Sequence, residues 1–171
     1  DHRDLHLSLR RQRQMCIRDR HHPIEYQNHI FDQLMKAGKE FGLKPYGIRA
    51  MNSLRVEKSY KLVGTELSIE YSPYESGLDR FIHPNKGDFI GRAALDKWRA
   101  KGFSNKLVTM EIHGVTDADV LGNNPIYDNG SVVGRATSGD FGFRLNKSIA
   151  LGMVKPELAK VGQKLKIDIL G

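Results

Sequence analysis

The sequence predicts an α+β protein in two parts. Helices and a long loop run up to residue 104, and a small antiparallel β-barrel or sandwich follows over residues 105–171. Three observations predict it. Before residue 104, apolar residues recur at helical spacing. From Asn105 onward the period changes to two. Asn129-Gly130 sits between two strand-like runs, a strong hairpin signal.

The first element is "PIEYQNHIFDQLMKAGKEFGL", which reads as a helix. Ile30, Leu34 and Ala37 fall at i, i+4 and i+7, with Phe31 and Met35 beside them in one apolar stripe. Pro23 before it and Gly42 after it are ordinary helix boundaries. "YGIRAMNSLRVEK" is a second, shorter helix, in which Met51, Leu54 and the stem of Lys58 share a face. Its Arg49, Arg55 and Glu57 then lie near a packed surface and need partners. Ser59 to Phe89 has no clear period and is rich in Pro, Gly and aromatic residues. Loops of that length are more often functional than slack. "DFIGRAALDKWRAKG" is a third helix, with Asp88 as N-cap, Gly102 as stop, and Ala94, Leu95 and Trp98 as its buried side. "KLVTMEIHG", the two runs of "NPIYDNGSVVGRATSG", "KSIALGMV" and "QKLKIDIL" are the strands, with Pro156 to Gly162 a short connection. "SGDFG" reads as turn chemistry. The boundary between the two parts falls near Lys101 to Asn105.

At 171 residues, 39% hydrophobic and 27% charged, the chain has room for one domain or two small ones and can bury a core without metal or disulfides. One cysteine rules out an intramolecular disulfide and fits a reducing compartment, so the expected location is cytoplasmic. No apolar run approaches the roughly 18 residues of a membrane helix. The net charge of +7 invites a nucleic-acid reading, but its distribution argues against one. Residues 1–20 carry Arg3, Arg10, Arg11, Arg13, Arg18 and Arg20 against Asp1, Asp4 and Asp19, a net +3. The remaining +4 is interspersed with acids, as on a solvated face.

The densest charge and the cysteine, Cys16, lie in "RRQRQMCIRDR", Arg10 to Arg20. That stretch matches, residue for residue, one reading frame of a DNA end widely used in sequencing libraries. Residues 1–20 are therefore expected to be adapter-derived, non-native and disordered. They have no apolar period with which to fold.

Little recognisable chemistry stands elsewhere. There is no G-x-G-x-x-G, no P-loop and no C-x-x-C, and beyond residues 1–20 no H-x-x-x-H spacing for a metal. Ser138 and Ser148 lack a nucleophile-elbow context. Arg55 stands out, because an arginine in an otherwise core-forming helix needs an anionic partner. That partner is Glu57, another internal carboxylate, or a ligand. Arg80, in "GLDRF" at the end of the aromatic-rich loop, raises the same question.

At "YGIRAMNSLRVEKSYKLVGTEL", "SGLDRFI…KGDFIGRAAL", "PIYDNGSVVGRATSG" and "KSIALGMV.PELA..GQKLKIDI", the chain resembles the C-terminal half of the tetrahydrofolate-dependent aminomethyltransferase family. The likeness covers residues 22–171. The family includes the glycine-cleavage T-protein and the folate-binding portions of flavin-dependent dimethylglycine and sarcosine dehydrogenases. "SLRVEKSY" and "GRAALDKWRAKGFSNKLV" lean toward the dehydrogenase branch. The resemblance implies that residues 21–104 are the C-terminal part of a folate-binding lobe and that 105–171 are a β-barrel truncated at its end. It implies a first lobe, carrying the catalytic carboxylate, that this sequence lacks. Tyr46, Met51 and Phe81 are then expected to be exposed.

The implied cofactor is tetrahydrofolate, with FAD only in an upstream domain. The implied partners are folate and a methylated-amine or aminomethyl substrate, with a lipoyl carrier protein in the T-protein alternative. Neither nucleic acid nor membrane is implied. Two positions carry over as folate-binding. Arg55 matches the arginine of the L-R-x-E motif, and a guanidinium suits the planar acceptors and carboxylates of a folate. Arg80 stands where relatives place an aromatic residue, and its plane can still stack on a pterin. A third family contact, a glutamate, would fall at Asp19 and is expected to be lost.

Overall fold

The computed structural model describes residues 21–115 and 117–170. The arginine-rich opening, with Cys16 and Asp19, lies outside the described residues. The chain divides into two compact units between Pro45 and Tyr46.

Within residues 21–45, a 3-10 turn at Ile24–Tyr26 leads into α1 (Gln27–Gly38), and a second turn at Lys39–Phe41 ends it. Gly42 closes the helix at φ 67°, a left-handed conformation that costs glycine little. Its N–H reaches Lys39 O at 3.2 Å and the Leu43 N–H reaches Gly38 O at 3.0 Å, the paired bonds of a Schellman motif. Ile30 and Met35 are half-buried, while Phe31 and Leu34 stay exposed. Among the described residues of this unit, one helix with a short continuation has no second element against which to bury a stripe.

The second unit holds α2 (Ile48–Glu57), the long loop with 3-10 turns at Asp79–Phe81 and Pro84–Lys86, α3 (Arg92–Lys101) and a five-stranded sheet. The strands are β1 (Lys106–Ile112), β2 (Pro125–Asp128), β3 (Ser131–Gly142), β4 (Lys147–Val154) and β5 (Lys166–Ile167). They are all antiparallel and ordered β1-β4-β3-β2-β5. β2 and β3 are joined by Asn129 at φ 47° and Gly130 at φ 80°, the positive-φ pair that a two-residue hairpin turn demands.

The sheet curls. Val108 and Met110 of β1 pack on the same buried cluster, Ile126, Val133 and Val154, as Ile167 of β5, although β1 and β5 stand at opposite ends of the ladder. Among the described residues no ladder joins β1 to β5, so the small β domain is present and its sheet is not closed. The expected boundary near Asn105 lies inside this unit. There the buried Glu75 carboxylate accepts the N–H groups of Ser104 and Asn105, and Glu75 O accepts the Leu107 N–H.

Four local expectations are corrected. The buried face of α2 is Ser53 and Val56, with Asn52 and Arg55 half-buried, whereas Met51 and Leu54 are 39% and 59% exposed and Lys58 is exposed too. Polar side chains face the sheet because they bond its backbone. Asp88 does not cap α3. The N-cap is Gly91, at φ 94°, and Asp88 instead pairs with Arg92 at 3.2 Å one turn into the chain. "SGDFG" is strand, the end of β3, and its glycines admit close neighbours rather than a turn. Of "QKLKIDIL" only Lys166–Ile167 is strand. Tyr46, Met51 and Phe81 are exposed.

Candidate functional site

The site begins with how α2 lies on β3. Ser53 Oγ donates to Phe141 O at 2.6 Å, and Asn52 Nδ2 donates to Asp140 Oδ2 at 2.7 Å and to Gly139 O at 3.2 Å. A side chain on Gly139 could not fit, because its Cβ would come within 2.7 Å of Val120 Cβ. Helix α2 ends in a second Schellman pattern. The Tyr60 N–H reaches Arg55 O and the Ser59 N–H reaches Val56 O, each at 2.9 Å, with Ser59 at φ 54°.

A β-bulge supplies the next piece. The β3–β4 register runs Ala136↔Gly152 and then Ser138↔Leu151, so Thr137 is the extra residue. Strict alternation would put Ala136 and Ser138 on one face. The bulge separates them: Ala136 packs in the core with Val120 and Ala150, while Ser138 turns toward α2 and the long loop.

There Ser138 meets Arg55 and Glu66. Arg55 Nη2 donates to Ser138 Oγ at 2.7 Å, and Nη1 donates to Tyr60 O at 3.0 Å and lies 3.5 Å from Glu66 Oε2. The two side chains are 10% and 0% exposed, so this is a buried ion pair. Glu66 Oε1 accepts Ser138 Oγ at 2.6 Å, and Oε2 accepts the Leu62 N–H and Thr65 Oγ1, each at 2.8 Å. Burial pushes the Glu66 carboxyl upward. The Ser138 bond, the neighbouring Thr137 hydroxyl, the Leu62 N–H and Thr65 together outweigh it and hold the group below its ordinary value of 4.5. Among the described residues, Thr137 Oγ1 is buried without a partner in hydrogen-bond geometry, as is Arg55 Nε.

The partner of Arg55 is therefore an internal carboxylate, Glu66. Glu57 is otherwise engaged, with its Oε1 accepting the Arg144 N–H at 2.8 Å. Arg80 lies elsewhere, in the Asp79–Phe81 turn, exposed, with its guanidinium 4.7 Å from the centre of the Phe81 ring. No hydrogen bond or ion pair joins Arg55 to Arg80 among the described residues.

Beside the buried pair is a polar cleft of about 260 Å³ between the loop and β3, whose lining includes Thr65, Ser68, Asn123, Arg135 and Thr137. Arg135 bonds Tyr71 Oη at 2.9 Å through Nε and also pairs with Glu70. The Tyr71 bond leads the causes that raise its pKa further, against a smaller effect of burial. Sequence reasoning named Arg55 and Arg80 as candidates but did not place Glu66 and Ser138 beside Arg55. Their meeting spans 72 positions and depends on the bulge. Among the described residues no group of His, Cys, Asp and Glu could hold a metal ion, and no helix is long and apolar enough to cross a membrane.

Comparison with known proteins agrees with this architecture. The family model for the GCVT N-terminal domain matches residues 21–86, and that for the glycine cleavage T-protein C-terminal barrel domain matches residues 105–171. The chain is 40% identical over 143 residues to mitochondrial dimethylglycine dehydrogenase of Homo sapiens, covering 83% of this chain and 16% of that protein. It is 35% identical over 149 residues to an aminomethyltransferase of Desulfitobacterium hafniense, covering 87% of this chain and 40% of that protein. The crystal structure of glycine cleavage system aminomethyltransferase T from Bartonella henselae shares the fold, with a TM-score of 0.72 at 24% identity over 87% of this chain and 41% of that one. The chain thus spans well under half the length of these relatives. With both domain models matched in succession, the chain belongs to the glycine cleavage T-protein family.

Proposed function

We propose that this chain is the folate-binding portion of a larger tetrahydrofolate-dependent one-carbon transfer enzyme of the dimethylglycine or sarcosine dehydrogenase type. The observation that carries the reading is the 40% identity to dimethylglycine dehydrogenase across 83% of the chain. An aminomethyltransferase of glycine cleavage is the second reading, favoured by 35% identity over 87% of the chain. In the first reading the one-carbon unit comes from a methylated amine oxidised at a flavin in another domain. In the second it comes from an aminomethyl group on a lipoyl carrier. The domain reading is residues 21–104 as folate lobe and 105–171 as barrel. The cytoplasmic reading is also kept as a proposal, beside mammalian relatives named as mitochondrial.

Tetrahydrofolate, when bound, supplies the amine that captures the one-carbon unit. Of the two arginines, Arg80 fits it directly: its guanidinium is exposed and already lies over an aromatic ring, so it can receive a flat heterocycle. Arg55 does not fit as a direct clamp. Its charge is balanced by Glu66, and its unpartnered Nε is buried. Both arginines belong to the proposed folate-binding part, in different ways.

The test is a titration of the full chain with tetrahydrofolate, followed by calorimetry and by amide shifts near Arg80 and Phe81. A weak saturable isotherm is expected, with Kd on the order of 0.1–1 mM. Binding of single-stranded DNA that falls steeply with salt, with no response to tetrahydrofolate, would replace this reading with a nucleic-acid module. The branch is tested by the upstream reading frame, where a flavin-binding G-x-G-x-x-G favours the dehydrogenase.

A further inference from the structure

We infer that Glu66 and Ser138 are positioning residues of the proposed folate site, and that Arg55 serves the site through them rather than by touching the ligand. This rests on the folate reading above and gives its L-R-x-E arginine a different task.

Three observations support the assignment. First, both terminal nitrogens of Arg55 are engaged internally. Nη1 serves Tyr60 O and Glu66, and Nη2 serves Ser138. A ligand carboxylate would have to displace a fully buried one that also accepts three further hydrogen bonds. Second, the cluster ties together the segments that carry the other proposed contact. Arg55 holds the start of the loop at Tyr60, and Glu66 holds it at Leu62 and Thr65. Ser76 Oγ donates to Glu66 O at 2.7 Å, two residues before Leu78, whose carbonyl accepts the Phe81 N–H at 2.9 Å in the turn that carries Arg80. Third, Thr65 and Thr137, the chain neighbours of Glu66 and Ser138, line the two walls of the 260 Å³ cleft. The Glu66–Ser138 bond therefore joins loop to strand at the cleft, and the bulge at Thr137 is what turns Ser138 to make it.

The experiment measures the tetrahydrofolate Kd of the full chain and of Arg55→Ala, Glu66→Gln, Ser138→Ala and the Arg55→Ala/Glu66→Gln double variant. It is run at a temperature where circular dichroism shows each folded. Expected are similar losses of about three- to tenfold in each single variant and a double variant no weaker than the worse single, the signature of residues acting as one unit. Arg55→Lys, which keeps the charge facing Glu66, should recover most of the affinity. The Arg55 Nε–H proton resonance should not move as ligand is added. Loss of affinity in Arg55→Ala alone, or a ligand-induced shift of that resonance, would overturn the inference in favour of direct contact. Lower melting temperatures with unchanged Kd throughout would overturn it in favour of a purely structural cluster. If the unaltered chain binds no tetrahydrofolate, the folate reading itself falls, and this one with it. Should Arg55→Ala not fold, Ser138→Ala and Arg55→Lys carry the same comparison.

Discussion

Replacing Glu66 by glutamine isolates the charge of the buried pair from its shape. The amide keeps an oxygen for Leu62 N–H and Thr65 Oγ1, and Ser138 can turn its hydroxyl to accept instead of donate. What is lost is the counter-charge of Arg55, whose side chain is 10% exposed and has no other acid within salt-bridge distance among the described residues. Removing one partner of a buried pair costs about 3–5 kcal/mol. Because Arg55 keeps Tyr60 O and Ser138, the low end applies, about 3 kcal/mol. In urea this lowers the midpoint by about 1–2 M, read by Trp98 fluorescence, for an m-value of about 1.5–3 kcal/mol per molar.

The pH dependence supplies a second check. Glu66 is held below its ordinary value of 4.5 in the folded state, so the unfolded chain binds its proton first as pH falls. Its contribution is therefore fully present above 4.5 and is lost as pH drops through the folded pKa. The glutamine variant has nothing to lose there, so the gap between the two proteins must narrow on acidification. A gap under about 0.5 kcal/mol at neutral pH, or one that stays constant down to about pH 3, would refute the buried-pair account.

Two further perturbations probe neighbouring features. Gly139→Ala forces a Cβ against Val120 and should cost about 1–3 kcal/mol or more by overpacking, measured by thermal unfolding; a neutral result would mean the Val120 segment yields freely. Asp88→Ala should change stability by less than about 0.5 kcal/mol, as for an exposed i,i+4 pair; a loss of about 1 kcal/mol or more would restore the capping role that the structure denies it.

Much of the fold was legible because its signals are local. The α1 stop at Gly42 and the Asn129-Gly130 turn each depend on a residue whose backbone tolerates positive φ, and both appear where the letters place them. The readings that failed depended on a neighbour. Met51 and Leu54 look like the inner face of α2, yet β3 offers α2 the carbonyls of Gly139 and Phe141, so Asn52 and Ser53 turn inward. Asp88 resembles a cap, but Gly91 takes that place in a left-handed conformation.

The candidate site divides in the same way. The sequence by itself determined that an arginine near the packed side of a core-forming helix must find an anion, since an unpaired buried cation is too costly. It also carried the motifs of the family. Only the tertiary structure decided which anion. Glu66 is eleven residues away on a loop without periodicity, and Ser138 is reached only because one extra residue in β3 reverses the facing of everything after it. Alternation along a strand can be read from letters, but a bulge that breaks it is set by the register of the partner strand, and that register exists only once β3 and β4 have paired.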